Sequence, residues 1–152
     1  MSYVRSVLQQ DEKIRYETTI HWIAYLPGFA LLVLAGGVWL WSLKVNSARE
    51  FLVILAMLLL VLAGVALFST WFRRWTTEIA VTNKRVIYKR GFIQRKTIEM
   101  HMDKVESVDV DQSIFGRLLG YGDIIVRGTG AGFEPLKNID SPIEFRNHVT
   151  AE

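Results

Sequence analysis

Between Phe51 and Phe72 the sequence runs for 22 residues without a charged side chain, and this run limits what the chain can be. Fourteen of the 22 are Leu, Ile, Val or Phe. At roughly −0.3 to −0.6 kcal/mol each, they contribute about −4 to −8 kcal/mol towards insertion into a bilayer. The length matches the ~20 residues a helix needs to cross ~30 Å of hydrocarbon. A buried helix of a soluble protein rarely runs so long with no polar face. Trp22 to Leu43 is a second uncharged run of 22 residues, with Pro27 and Gly28 near its start and Gly36-Gly37 past its middle. Pro27 is expected to bend this helix. Gly36 and Gly37 are expected to let the other helix come close. A signal peptide is excluded by the length of the run and by the second run that follows it.

All five tryptophans stand at the ends of these runs: Trp22, Trp71 and Trp75 on one side, Trp39 and Trp41 on the other. Indole rings favour the headgroup region, where an apolar body and one N–H are both accommodated. The seven residues from Lys44 to Glu50 permit only a tight antiparallel hairpin. Arg73-Arg74, Lys84 and Arg85 follow the second run, and Arg5, Lys13 and Arg15 precede the first. The loop carries only Lys44 and Arg49. By the positive-inside rule both termini are expected on the cytoplasmic side of the membrane. The chain is 51% hydrophobic yet 22% charged, figures that agree because charge is nearly absent from 22 to 72 and dense from 73 onward. It holds no cysteine, which removes disulfides, thiolate chemistry and Cys-based zinc sites.

After Thr76 the pattern changes to short runs of period two. Thr77 to Thr82 reads as a strand, Asn83-Lys84 as a hairpin turn and Arg85 to Arg90 as a second strand, ended by Gly91. Phe92 to Met102 is a third, broken run. Lys104 to Gln112, with its Val108-Asp109-Val110-Asp111 alternation, reads as a half-buried strand. Ser113 to Tyr121 is compact and punctuated by glycine, with Ile114, Phe115, Leu118 and Leu119 expected as a local apolar cluster. Ile124 to Val126 and Phe133 to Ile139 are strands about a turn at Thr129 to Gly132. Ser141-Pro142-Ile143-Glu144 is a capping box with proline at the first helical position, so a short helix ends the chain. It must be held by packing. Residues 1–20 combine mixed charges with a few apolar side chains, and read equally as a strand or extended arm against the later domain and as an interfacial segment.

The order Thr82-Asn83-Lys84-Arg85-Val86-Ile87, then Gly91, then Val105-Glu106-Ser107-Val108, then Gln112 through Ile124 resembles the bacterial pleckstrin-homology (PH) family of membrane-flanked domains. The likeness covers roughly Thr76 to Val149, and Gln112–Ile124 is its most specific part. It implies a bent seven-stranded sheet closed by a C-terminal helix, and little about activity. The expected architecture is an α+β membrane protein. A 1–21 cytoplasmic segment leads into a 22–72 two-helix transmembrane hairpin, with spans at about 22–43 and 51–72. A cytoplasmic 73–152 PH-like β-barrel, or pair of orthogonal sheets, follows and is capped by a helix.

No reaction signature stands out. His21, His101 and His148 are scattered without the spacing of a metal site. Asp109 and Asp111 share one strand face, which reads as a solvated face. Gly128 to Gly132 lacks the Gly-Lys-Ser/Thr ending of a phosphate loop. No catalytic role, cofactor or metal is expected. The one candidate surface is basic: Arg73, Arg74, Lys84, Arg85, Lys89, Arg90, Arg95 and Lys96. Beside an anionic leaflet each such residue is worth about 1 kcal/mol. From Thr76 onward 11 basic residues face 11 acidic ones, which argues against nucleic acid. The expected function is a membrane-anchored, non-catalytic interaction module that binds a protein partner or its own copies. The alternative is recognition of anionic phospholipid headgroups.

Overall fold

The computed structural model describes residues 3–91, 96–129 and 135–150. In chain order the elements are α1 (Tyr3–Ser6), β1 (Ile14–Thr18), α2 (Leu26–Ser42), α3 (Arg49–Thr76), β2 (Glu78–Thr82), β3 (Arg85–Arg90), β4 (Lys96–His101), β5 (Val105–Asp111), α4 (Ile114–Leu119), β6 (Tyr121–Gly128), β7 (Leu136–Asp140) and α5 (Pro142–Thr150). They form two compact units: residues 22–72 are one, and residues 1–21 together with 73–152 are the other.

The first unit is a helical hairpin. A 3-10 turn (Trp22–Tyr25) leads into α2. Both helical stretches are long and apolar enough to cross a membrane, with mean hydropathy 2.0 for the first and 3.1 for the second. Pro27 lies in the first turn of α2, where its missing N–H leaves no helical bond unmade, so it starts the helix and does not bend it. The helices meet through small residues, but not through the pair expected. Ala35, Ala56 and Ala63 are buried, and a Cβ on Gly28 would lie 2.5 Å from Leu67 Cδ2. A Cβ on Gly36 or Gly37 would meet nothing within 4 Å. Leucine at Gly28 is therefore expected to force the helices apart at about 1–3 kcal/mol. Leucine at Gly36 should leave stability within about 0.5 kcal/mol. Equilibrium unfolding of both variants in mixed micelles reads the difference.

Among the described residues the second unit contains seven antiparallel strands in two sheets, ordered β1-β2-β3-β4 and β5-β6-β7. Among the described residues the strands read from period two are present: β3 coincides with the run Arg85 to Arg90 and β4 with the later part of the third run, whose residues 92–95 lie outside the described residues. Ladder bonding stays within each sheet. One isolated bridge, Ile20–Ile139, links the end of the first strand to the second sheet, so the described residues form two joined sheets and not a closed barrel. Ile79, Val81, Val86, Tyr88, Met100, Val108, Ile124, Val126, Leu136, Ile139 and Phe145 form one buried core. Phe145 comes from α5, whose first residue is Pro142, and is fully buried.

The segment left open by sequence is a strand. β1 pairs antiparallel with β2, Thr18 opposite Ile79 and Tyr16 opposite Val81. Two paired neighbours in the sheet are thus separated in sequence by the entire helical hairpin. On the other face of this sheet Val4 of α1 packs with Ala80 and Ile87 as a second small core.

The expected apolar cluster at 114–119 is instead a capped helical turn pointing to solvent. Ser113 caps α4 by accepting the Gly116 N–H at 3.0 Å, and Gly120 ends it at φ 78°. Ile114, Phe115 and Leu118 are 85%, 70% and 80% exposed. A six-residue helix has only one face to bury, and here that face is taken by Gly116 beside the Tyr121 carbonyl.

Candidate functional site

Five of the eight basic residues singled out from sequence fall into two groups. Arg85 is not a surface residue. It is 8% exposed, and its guanidinium makes four hydrogen bonds. Nε and Nη2 donate to Glu12 Oε1 and Oε2 at 3.0 and 2.9 Å, Nη1 donates to Glu99 Oε2 at 2.7 Å, and Nη2 also reaches the Val7 carbonyl at 2.8 Å. The Glu12 side chain is 0% exposed and also accepts the Thr82 hydroxyl at 2.7 Å. A planar fork matching a carboxylate is the geometry in which arginine is strongest. Contact with Glu12 foremost holds the Arg85 pKa above its ordinary value.

Lys84 and Lys89 serve the same clasp. Lys84 Nζ donates to the Gln10 carbonyl at 3.2 Å. Lys89 Nζ reaches Glu78 Oε1 at 3.0 Å and lies 5.4 Å from the centre of the Tyr3 ring. Glu78 in turn accepts the first two N–H groups of α1, from Tyr3 and Val4, at 3.1 and 3.2 Å. At the β2–β3 turn, Asn83 exchanges backbone and side-chain hydrogen bonds with Asp11 and Lys13. Three of the eight cations thus fasten the N-terminal arm to the sheet.

The second group lies around a cavity of about 280 Å³ between the two sheets. Its walls include the buried side chains of Ile20, Ile79, Tyr88, Leu136 and Ile139. Arg73, Arg90 and Lys137 also line it. Arg73 is in the last turn of α3, whose end is tied by the Thr77 hydroxyl to the Arg73 carbonyl at 2.7 Å. Arg90 closes β3, and Lys137 is the exposed second residue of β7. Among the described residues, none of these three side chains has a hydrogen-bond or ion-pair partner. Arg74 is partly buried and Lys96 exposed, and neither lines the cavity. Arg95 lies outside the described residues, as do most of the loop at 129–132 and Phe133. Sequence reasoning missed Lys137 because nothing near it on the chain is basic, and only the packing of the two sheets brings it to the same cavity as Arg90.

The histidines have separate surroundings. His21 is buried and stacked on Tyr121 with ring centres 5.4 Å apart. His148 stacks on Tyr16 at 4.7 Å, and His101 ends β4. Burial pushes the Tyr16 pKa up, helped by Glu144, which accepts its hydroxyl at 3.3 Å.

A sequence model of the family described as Bacterial PH domain matches residues 20–152. The chain belongs to that family. Neither a curated protein nor a solved structure matches it. The family match takes in the hairpin and six of the seven strands, and it begins just after β1. In this bacterial PH domain the first strand therefore comes from chain that the match leaves out. The cavity lies where β1 ends, β2 begins, β3 ends and β7 begins. Cations above an apolar floor suit a ligand with an anionic head and an apolar body.

Proposed function

We propose that this protein is a membrane-anchored interaction module without catalytic activity. In this reading α2 and α3 span a bacterial cytoplasmic membrane, and the PH-like unit, residues 1–21 with 73–152, stands on the cytoplasmic side. Its ligand is the headgroup of an anionic phospholipid. The observation that carries this is the cavity bordered by Arg73, Arg90 and Lys137 over a floor of Ile20, Ile79 and Ile139. Arg73 follows Phe72, the last residue of the second apolar run, so covalent connection alone holds it within a few ångströms of the headgroups. Three cations there would contribute about 1 kcal/mol each toward an anionic surface.

The test is native mass spectrometry of full-length protein released from membranes of mixed zwitterionic and anionic lipid. The wild type is expected to retain anionic lipid well above its bulk share. Combined Arg73→Gln, Arg90→Gln and Lys137→Gln substitution should abolish the enrichment, while Arg74→Gln with Lys96→Gln should preserve it. Bulk-like lipid on the wild type overturns the headgroup reading. A protein partner or second copy is the other reading, supported by β4, which ends the order of its sheet among the described residues; an outer strand is where an added strand can pair. A stoichiometric protein retained in the same spectra would favour it.

A further inference from the structure

Outside the hairpin, the described residues expose six large apolar side chains: Trp75, Ile143 and four from the single short helix α4. Monomeric soluble surfaces seldom gather such residues without a use. Nor is α4 a loose segment. Ser113 caps it, Gly120 ends it in the left-handed conformation, and the Gln112 amide donates to the Tyr121 carbonyl at 2.9 Å behind it. A Cβ on Gly116 would collide with that carbonyl at 2.6 Å, so glycine is required for the turn to sit so close. The fold holds Ile114, Phe115 and Leu118 outward.

What lies next to α4 indicates what covers it. Ser141 N–H donates to the Gly120 carbonyl at 2.9 Å, fixing the end of α4 to the β7–α5 junction. Tyr121, the next residue, stacks on His21. His21 donates its N–H to the Asn138 carbonyl at 2.7 Å, and Asp140 donates to the Thr19 carbonyl at 3.0 Å. These contacts gather the base of α4 and residues 19–21 into one hydrogen-bonded corner. The peptide bond after His21 leads to Trp22, where the first apolar helical stretch begins.

We infer that α4 is a third membrane contact: a wedge of Ile114, Phe115 and Leu118 that dips into the interfacial layer of the same bilayer the hairpin spans. The inference rests on the spanning reading of α2 and α3. Its driving force is apolar transfer and not charge. Arg117 is the only cation on α4, while Asp111, Asp123 and Asp140 are strand residues at its base, paired by register as Asp111–Asp123 and Tyr121–Asp140. Insertion should therefore be insensitive to the anionic lipid fraction, unlike ligand retention in the cationic cavity.

Because the chain has no cysteine, single-cysteine labelling has no background. Leu118→Cys, Leu60→Cys and Glu106→Cys are each made in the full chain, labelled with an environment-sensitive fluorophore and reconstituted in nanodiscs. The discs contain nitroxide lipids quenching at shallow or deep positions. All three side chains point away from cores, so folding should survive. The expected result is blue-shifted emission at 118, quenched at least twofold by shallow nitroxide, equally in neutral and anionic discs. Position 60 should be quenched by deep nitroxide and position 106 by neither. An unquenched, water-like signal at 118 beside a quenched one at 60 overturns the wedge and leaves the spanning reading intact. An unquenched signal at 60 overturns both. A blue shift at 118 that lipid does not quench, and that grows with protein per disc, overturns the wedge in favour of a second copy.

Discussion

An Arg85→Ala variant is expected to lose about 3–5 kcal/mol of folding stability, the usual consequence of stripping one partner from a buried ion pair. The alanine would leave the Glu12 carboxylate, 0% exposed, with only the Thr82 hydroxyl and a backbone N–H from Gln9. It would also release the Val7 carbonyl and Glu99. Chemical unfolding of the full chain in detergent measures the loss, and hydrogen exchange locates it in β1 and the β2–β3 turn. Retained stability would show that the clasp is not holding the arm. The same pair makes the unit acid-sensitive. Burial pushes the Glu12 pKa up, but hydrogen bonds from the Gln9 N–H, Arg85 and Thr82, with the Arg85 charge, pull it down further, to below its ordinary 4.5. The unfolded chain then binds more protons than the folded one near that pH. The stabilisation is complete above about pH 4.5 and disappears as pH falls through the lower folded value. Glu12→Gln should flatten stability against pH below 4.5.

Deleting residues 1–21 is expected to abolish cooperative folding of the PH-like unit. The deletion strips β2 of its outer partner and the Glu78 and Arg85 clusters of their counterparts, and it uncovers Ala80 and Ile87, both fully buried. The converse variant joins residue 21 to residue 73 through a short glycine-serine linker and omits the hairpin. It should be soluble and folded, because Thr18 and Ile79 are already paired in the ladder. Dispersed amide spectra from the linked form, and collapsed ones from a 73–152 fragment, are the expected outcomes. A folded 73–152 fragment would mean that the first strand is dispensable.

What could be read beforehand depended on how local its cause is. The hairpin helices declare themselves through uninterrupted apolar composition, and Val86, Ile87 and Tyr88 make β3 visible because β-branched and aromatic residues crowd into six positions. The same local evidence misplaced the glycine contact: Gly36-Gly37 is the more conspicuous pair, but which face of α2 meets α3 depends on the helices' rotation, and that rotation brought Gly28 against Leu67. β1 was hidden because Ile14 and Tyr16 are a weak alternation and its partner lies beyond the hairpin. Arg85 looked like any strand-edge cation for the same reason, its counter-charge Glu12 being on the hidden arm. For α4, sequence shows four apolar residues gathered in a short glycine-punctuated segment, while the helical turn and its direction are decided by the Ser113 cap and the glycine-tight contact behind it.

If α2 and α3 span a bilayer as proposed, the pairing of β1 with β2 also acts as a filter on membrane topology. Two strands can zip together only if both have arrived on the same side of a bilayer, so any insertion with an odd number of crossings between Thr18 and Glu78 is incompatible with the folded sheet. A nascent chain that failed to insert one helix would leave Glu12 and Arg85 on opposite faces, each without its counter-charge. Misinserted molecules would lack the completed sheet and its arm, which would leave them open to proteases. The completed sheet would certify that the hairpin had not been left with a single crossing.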